Sequence, residues 1–219
     1  MLTPQANPPA PNLEIDKWVQ GTPSNITQEK GNVILIFVFQ INCPGCFLYG
    51  IPEILDVFEK LEGQAFKIWG LATAFEDFSK NNLRNLEKLL KNKEVFGETF
   101  EVLDQKKMLE QGKLPYIIPF PVAWDKIEKF EEDIEDSTEK ILQRDIADFE
   151  KYSESSKITI RRQIRSYLKN KRFYAKTFER YELQGTPSSL FIDKQGCLRY
   201  KFFGAGHDLF NYAQNLLNE

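Results

Sequence analysis

Two of the three cysteines in the chain stand in one short motif, Cys43-Pro44-Gly45-Cys46. The motif follows the apolar run Val33–Phe39 and precedes Phe47–Leu61, where apolar residues recur at helical spacing. Two cysteines separated by two residues at a strand-to-helix junction are typical of a redox dithiol. Such a pair could exchange disulfides, bind a metal or simply pack in the core. Its position at a strand-to-helix junction favours disulfide exchange.

The position of the first cysteine predicts its reactivity. The thiolate is the reactive form, and a free cysteine has a pKa of about 8.5. A helix N-terminus carries unsatisfied N–H groups and a partial positive charge, and both stabilise an anion. We therefore expect Cys43 to lie in the exposed turn before the helix and Cys46 to lie one turn in, more buried. This arrangement predicts that Cys43 attacks a substrate disulfide and that Cys46 resolves the mixed disulfide.

The composition limits the class of protein. With 219 residues, 42% of them hydrophobic, the chain suits a globular domain with a sizeable core. A formal net charge of -3 argues against a general nucleic-acid binder. No apolar stretch approaches the roughly 20 residues of a membrane helix, so we expect neither a nucleic-acid nor a membrane partner. Residues 1–11 lack the basic and apolar regions of a secretory signal, which predicts a cytoplasmic location with reduced thiols.

The hydrophobic pattern alternates between strands and helices, as in an α/β protein. The strands are predicted at 13–19, Val33–Phe39, Phe66–Ala72, Val122–Trp124, Ser188–Asp193 and Leu198–Phe203. The helices are predicted from Cys43 or Pro44 to Gly63, at Ser79–Lys91 and at Asp208–Leu217, with a further short helix within 95–112.

Residues 126–182 differ from the rest of the chain. Their apolar residues recur at three- and four-residue steps on both sides of a break at Ser153–Ser156, which predicts two amphipathic helices in a hairpin. The first helix is rich in Glu and Asp and the second in Lys and Arg, so antiparallel pairing would bring opposite charges together. A partner-docking arm, a lid over the dithiol and an extra helical layer on the sheet edge remain open as roles.

Three parts of the chain together resemble the thioredoxin superfamily, in particular the redoxins related to TlpA-like thiol-disulfide oxidoreductases and peroxiredoxins. They are the opening segment Ala10–Val33, the strand with its dithiol motif, and Gly185–Gly196. The resemblance covers residues 10–125 and 183–217. It implies a thioredoxin-like fold, with a central mixed sheet flanked by helices.

The resemblance also implies an organisation and a substrate-facing loop. Residues 1–219 would form a single domain, with 126–182 as an inserted helical hairpin. Pro187 would follow a cis peptide bond and face the dithiol, and the backbone at Thr186 would pair with an extended substrate segment. The implied partners are a protein thiol or disulfide and a thiol electron donor, with no cofactor and no metal.

Several positions depart from the patterns of this superfamily. Asn42 stands where thioredoxins usually have Trp, the dipeptide between the cysteines is reversed, and Phe37 stands in the place of a buried acid. Pro52 lies one residue further from the motif than usual, which predicts a local bulge in the helix. Ile36 and Gln40 replace the Pro and Thr of peroxiredoxins, which makes a peroxidase a weaker interpretation. The chain is thus expected to have its own redox potential and partner.

Three other groups in the chain could take part in chemistry: Cys197, His207 and the pair Glu76-Asp77. Cys197 and His207 would complete a Cys₃His zinc set with the dithiol, but a half-buried strand residue and a residue at the start of the last helix are the favoured roles. Glu76-Asp77 could act as a carboxylate pair, although starting the next helix is favoured. The alternative overall function is a non-catalytic or redox-sensing module that binds a partner through its inserted helices.

Overall fold

The computed structural model of the chain describes residues 8–219. The proline-rich residues 1–11 are predicted from the sequence to be a flexible lead, and most of this segment lies outside the described residues. The strands are β1 Ile15–Gln20, β2 Val33–Phe39, β3 Phe66–Ala72, β4 Val122–Asp125, β5 Ile127–Lys129, β6 Phe173–Ala175, β7 Ser188–Ile192 and β8 Leu198–Phe203. The helices are α1 Ile51–Lys60, α2 Leu83–Asn92, α3 Gly97–Gln105, α4 Ile134–Asp145, α5 Glu154–Asn170, α6 Lys176–Arg180 and α7 Leu209–Asn218.

Six of the strands form one mixed sheet in the order β1-β4-β3-β2-β7-β8. The central strand β2 is parallel to β3 and antiparallel to β7, with Val38 opposite Leu71 and Ser188. The predicted fold class, a mixed central sheet flanked by helices, is therefore confirmed. β1 lies at the edge of the sheet, antiparallel to β4. It overlaps the strand predicted at 13–19 and begins two residues later.

Strand β2 is buried on both faces, which explains its unbroken apolar sequence. Its side chains alternate between two separate core clusters. Phe37 and Phe39 belong to the cluster that contains residues of α1 and α7, whereas Ile36 and Val38 belong to the cluster on the opposite face. The strand is thus fixed from both sides, and the loop that follows it starts from a rigid point.

The helix predicted to begin at Ser79 begins at Leu83 instead. Residues before it form turns, and Asp77 has a positive φ of 46°. The side chain of Asn82 accepts a hydrogen bond from the Asn85 N–H and caps the helix there. A side-chain cap close to the first apolar residue therefore decided the start, rather than the acidic residues upstream.

Residues 126–182 contain the two predicted helices but differ at their ends. Helices α4 and α5 belong to a compact unit, Glu128–Tyr174, which we call the hairpin unit. Arg165 pairs with Glu135 at 2.6 Å and Arg161 pairs with Glu139, so the predicted opposition of charges between the helices is confirmed.

The helical prediction is wrong at both ends of that segment. β5 and β6 form a two-stranded sheet there, and α6 is a separate short helix. In these two segments aromatic and β-branched residues recur at helical spacing, and this predicted helices. The same residue types also favour strands, in which pairing with a neighbouring strand satisfies their backbone N–H and C=O groups. Among residues 8–219, no helix has both the length and the hydrophobicity needed to cross a bilayer.

Candidate active site

The dithiol lies at the point where strand β2 gives way to helix. Cys43 is partly exposed in the turn, and Cys46 is fully buried inside the first helical turn. The backbone N–H of Cys46 donates to Cys43 Sγ at 3.3 Å and to the Cys43 carbonyl oxygen at 3.0 Å. The first sulfur therefore stands at a helix N-terminus, where the backbone N–H of Cys46 points at it.

The surroundings of the two thiols shift their pKa values in opposite directions. The Cys46 thiol donates a hydrogen bond to the Cys43 sulfur and lowers the pKa of Cys43 to about 7; burial opposes this shift, and hydrogen bonds from Thr186 and from the Cys46 backbone assist it. Burial raises the pKa of Cys46, and the hydrogen bond to Cys43 raises it further. The pair therefore loses its first proton near neutral pH, from the partly exposed sulfur of Cys43, while Cys46 keeps its proton behind it.

The loop that precedes β7 faces the exposed sulfur. The Thr186–Pro187 peptide bond is cis, and Cys43 Sγ lies 3.5 Å from the Thr186 carbonyl oxygen. A Cβ atom added to Gly45 would stand 4.0 Å from Pro187 Cδ, so the proline ring lies against the dithiol turn. The structure therefore brings together the four residues that the sequence predicted as the site.

A π-helical turn, Cys46–Gly50, precedes α1 and contains the extra residue that the position of Pro52 predicted. Gly50 is needed in this turn, because a Cβ atom there would stand 2.8 Å from the ring of Phe37 and 3.2 Å from Pro187 Cβ. Phe37 is 1% exposed and fills the space behind the turn with hydrocarbon. The predicted bulge is therefore confirmed, and its last residue, Gly50, lies close to both the Phe37 ring and Pro187.

Asn42, directly before Cys43, is held by three hydrogen bonds that the sequence did not predict. Its side-chain oxygen accepts from the Glu98 N–H at 2.8 Å, and its amide donates to Asp77 at 2.9 Å. Its backbone N–H donates to the Asn81 side chain at 2.7 Å. The sequence signal for this role was an asparagine directly before the cysteine, because an amide side chain can both donate and accept hydrogen bonds.

Gln40 is a second residue of the site that the sequence did not assign. It is 1% exposed, and its side-chain oxygen accepts from the Thr186 hydroxyl at 3.4 Å. Its backbone N–H stabilises a negative charge on Cys46. The residue therefore connects the buried thiol with the cis-proline loop. Its Nε2 atom has no hydrogen-bond partner among the described residues.

The structure does not bring together the Cys₃His set that was considered as a zinc site. No group of His, Cys, Asp and Glu within residues 8–219 could hold a metal ion. Cys197 precedes β8 and His207 follows it, so the six-residue strand separates them. Cys197 lies beyond the end of β7 that pairs with the start of β2, whereas the dithiol follows the end of β2. The antiparallel pairing thus holds the third cysteine away from the other two.

The carboxylates predicted as a pair have separate roles. Glu76 acts on Cys43 electrostatically and opposes the fall of its pKa. Asp77 accepts from Asn42 and lies in the turn before Asn82. Neither residue starts α2, so the favoured interpretation of Glu76-Asp77 is wrong.

Comparisons with known proteins place the fold. No protein-family model and no curated protein matches the chain. Among solved structures, a thioredoxin-like superfamily protein superposes with a TM-score of 0.59 at 24% identity, over 98% of both chains. A thiol-disulfide isomerase from Corynebacterium glutamicum gives 0.59 at 21% over 97% of both chains. A thioredoxin-family thiol:disulfide interchange protein from Chlorobium tepidum gives 0.50 at 15%, over 98% of this chain and 99% of the other. The chain therefore has a thioredoxin-like fold.

Proposed function

We propose that the protein is a thiol-disulfide oxidoreductase that acts on protein disulfides. The observation that carries this function is the separation of the two thiol acidities, with the pKa of Cys43 near 7 on the exposed sulfur and that of Cys46 raised behind it. A thiol with a pKa near ambient pH is well suited to attack a disulfide. Two proteins with the same fold are named for thiol-disulfide chemistry, which agrees with this function.

The reaction has two exchange steps. The Cys43 thiolate attacks one sulfur of a substrate disulfide, the substrate S–S bond breaks, and the other substrate sulfur leaves as a thiolate. Cys46 then attacks Cys43 Sγ, the mixed disulfide breaks, and the second substrate thiolate leaves. The substrate gains two electrons, and the protein becomes the Cys43–Cys46 disulfide. A thiol electron donor returns the pair to its reduced form by the same chemistry.

The resolving thiol is activated by the first step. Its pKa is raised partly by the negative charge of Cys43, and that charge disappears when the mixed disulfide forms. The pKa of Cys46 then falls, and the backbone N–H of Gln40 supports the new thiolate. Because the ring of Phe37 fills the space behind the turn, the proton of Cys46 passes to the departing thiolate or to solvent.

The substrate is expected to bind along the cis-proline loop. An extended polypeptide can add to the backbone at Thr186 as a strand, and Pro187 keeps that backbone next to Cys43. Residues Thr186 and Pro187 are therefore proposed as substrate-binding residues, and Cys43 and Cys46 as catalytic residues. The cytoplasmic location predicted from the sequence stays a prediction.

Reduction of a protein disulfide such as that of insulin tests this function. Cys43→Ser should lower the rate by at least about a hundredfold, because a hydroxyl is not ionised near neutral pH. Cys197→Ser is the matched control and should keep the rate, since that residue lies away from the pair. Equal rates for Cys43→Ser and the unchanged protein, or no activity with any thiol donor, would contradict the proposal.

A second candidate function is partner binding through the hairpin unit. We propose that residues 126–182, which contain this unit, are an insertion in a single domain. Three large hydrophobic side chains of this unit are exposed: Tyr152 by 43%, Ile158 by 66% and Tyr167 by 60%. Exposed apolar residues in one region can mark a binding surface. Replacement of Ile158 and Tyr167 by Ser should abolish capture of a partner that the unchanged protein retains. Unchanged capture would exclude this function.

A further inference from the structure

A cavity of about 640 Å³ opens beside the helix that carries the dithiol. Leu48 and Tyr49, from the π-helical turn, and Glu53, from α1, line one wall. Gly206 and His207, from the loop after β8, line the other. The volume is within the range of sites that bind small molecules or side chains.

Both walls of the cavity are connected through the chain to the site of the dithiol. Leu48 and Tyr49 follow Cys46 by two and three residues, so they lie within one helical turn of it. The opposite wall is tied to the cis-proline loop, because the Gly204 N–H donates to the Pro187 carbonyl oxygen at 2.8 Å. A polypeptide whose cysteine reaches Cys43 would therefore place a neighbouring residue at the cavity.

A carboxylate is held in a fixed position at this cavity. The Gly206 N–H donates to Glu53 Oε2 at 3.1 Å, and the backbone N–H of His207 also donates to that side chain. Glu53 is partly buried, so water solvates its carboxylate incompletely; this burial raises the pKa of Glu53, and the two N–H donors and the nearby His207 ring oppose the rise. A cation that bound there would replace part of the missing solvation.

The other walls suit the rest of a basic side chain. Tyr49 is 62% exposed, so the face of its ring is available to a cation. Leu48 offers apolar surface to the hydrocarbon stem of a lysine or arginine. An acidic side chain would meet the carboxylates of Glu53 and Asp208, and an apolar one would cover Glu53 without neutralising it.

We propose that this cavity is a subsite for an arginine or lysine of the substrate polypeptide, two or three residues from the reacting cysteine. This subsite rests on the proposed oxidoreductase function and adds the substrate class to it. Tyr49 and Glu53 lie six and ten residues after Cys43, which is about 9 Å and about 15 Å along a helix that rises about 1.5 Å per residue, and two or three residues of extended chain span about 7–10 Å. The side chain of the arginine or lysine covers the rest of the way to Glu53. The protein would thus select cysteines in basic surroundings.

Short peptides with one cysteine test the subsite. Each cysteine carries a thionitrobenzoate group as a mixed disulfide, and arginine, alanine or glutamate stands two residues before or after it. Cys43 attacks the peptide sulfur and releases the coloured thiolate, and Cys46 then releases the peptide, so one turnover is followed by absorbance. Each rate is divided by the rate at which free N-acetylcysteine, in place of the protein, reacts with the same peptide. This removes the effect of the flanking charge on the intrinsic reactivity of the peptide disulfide.

The unchanged protein should prefer an arginine peptide over its glutamate counterpart by about threefold to tenfold, as partly exposed charge pairs and cation–π contacts allow. Glu53→Gln should reduce this ratio to near one. Glu59→Gln is the matched control, because it removes the same charge from an exposed position on the same helix. Equal ratios for Glu53→Gln and the unchanged protein, or no preference at either position, would overturn the subsite.

The failure of the subsite and the failure of the proposed function can be distinguished. Release of the coloured thiolate from all peptides without a charge preference would remove only the subsite. If no peptide reacts, the oxidoreductase function fails, and fluorescence anisotropy with serine in place of cysteine then decides the subsite. Tighter binding of the arginine peptide to the unchanged protein than to Glu53→Gln would support it, and equal binding would overturn it.

Discussion

Around the dithiol, hydrogen bonds from the buried Cys46 side chain, from its backbone N–H and from Thr186 act on the sulfur of Cys43. In the hairpin unit, charged groups are numerous and lie at the surface. The hydrogen bond from buried Cys46 helps to bring the pKa of Cys43 to about 7, whereas the side chains of Arg165 and Glu135 are 40% and 60% exposed. The same kinds of interaction therefore have different consequences, because solvent screens one set and not the other.

The packing of the two regions differs in the same way. Strand β2 is buried along its whole length. The ring of Phe37, which belongs to a core cluster, lies beside Gly50 in the turn that follows the dithiol. In the hairpin unit, the buried large hydrophobic residues among those described are Leu142, Phe149 and Leu168. We therefore expect substitutions near the dithiol to have large effects and substitutions on the hairpin helices to have small ones.

The largest effect is expected for Phe37→Ala. Removal of a fully buried ring should lower the free energy of unfolding by about 3–5 kcal/mol, through lost burial and a residual cavity. Urea denaturation followed by circular dichroism measures the change. Tyr167→Ala, at an exposed position of the hairpin unit, is the control and should change it by no more than about 0.5 kcal/mol. Similar losses for both variants would contradict the difference in packing.

The second effect concerns the acidity of Cys43. In a Cys197→Ser background, the rate of alkylation of Cys43 by iodoacetamide should rise with pH around a midpoint of about 7, because the thiolate is the reacting form. Cys46 should stay unreactive over the same range, since burial raises its pKa. Peptide mass mapping separates the two sites.

The sign of that shift can be tested directly. Cys46→Ala removes the hydrogen bond that contributes most to the low pKa of Cys43. The midpoint of alkylation should therefore move to higher pH in this variant. A midpoint near 9 in the parent, or an unchanged midpoint in Cys46→Ala, would show that the neighbouring thiol does not set the acidity.

A smaller effect is expected for Asn42→Ala. This change removes the acceptor of the Glu98 N–H and the donor to Asp77, so we expect a loss of about 1–2 kcal/mol in the free energy of unfolding. The first exchange step should slow as well, because Cys43 is then less firmly placed. Asn170→Ala, whose amide donates to a carbonyl on the surface of α5, should show neither effect. A normal rate for Asn42→Ala would exclude a positioning role.

The smallest effect is expected for Arg165→Gln. The ion pair with Glu135 is exposed, and such pairs contribute little to stability. The midpoint of urea denaturation should stay within experimental error of the parent value, with and without added salt. A clear fall of the midpoint at low salt would show that the charges of the hairpin unit stabilise it more than their exposure suggests.

The sequence predicted those features of the structure in which a local pattern of residues has a single physical explanation. Val33–Phe39 is apolar because both of its faces are buried, and the dithiol and Gly185–Gly196 follow patterns that a known superfamily shares. These features predicted the central sheet and the four residues that meet in the site.

The remaining features depend on contacts between residues far apart in the chain. The roles of Asn42 and Gln40 require the positions of Glu98 and Thr186, which no local pattern contains. The start of α2 at Leu83 was decided by one capping side chain. The cavity at Glu53 needs the loop after β8, which reaches it only in the folded chain.

Trapping of the mixed disulfide tests the central assignment most directly. In Cys46→Ser the second exchange step is blocked, so a disulfide-bonded substrate should remain attached to Cys43. Mass spectrometry after digestion without reductant should find that bond and name the substrate cysteine. The double variant Cys43→Ser/Cys46→Ser should trap nothing. Attachment of the substrate at Cys197, or no adduct under conditions in which the unchanged protein reduces the substrate, would contradict the assignment of Cys43 as the nucleophile.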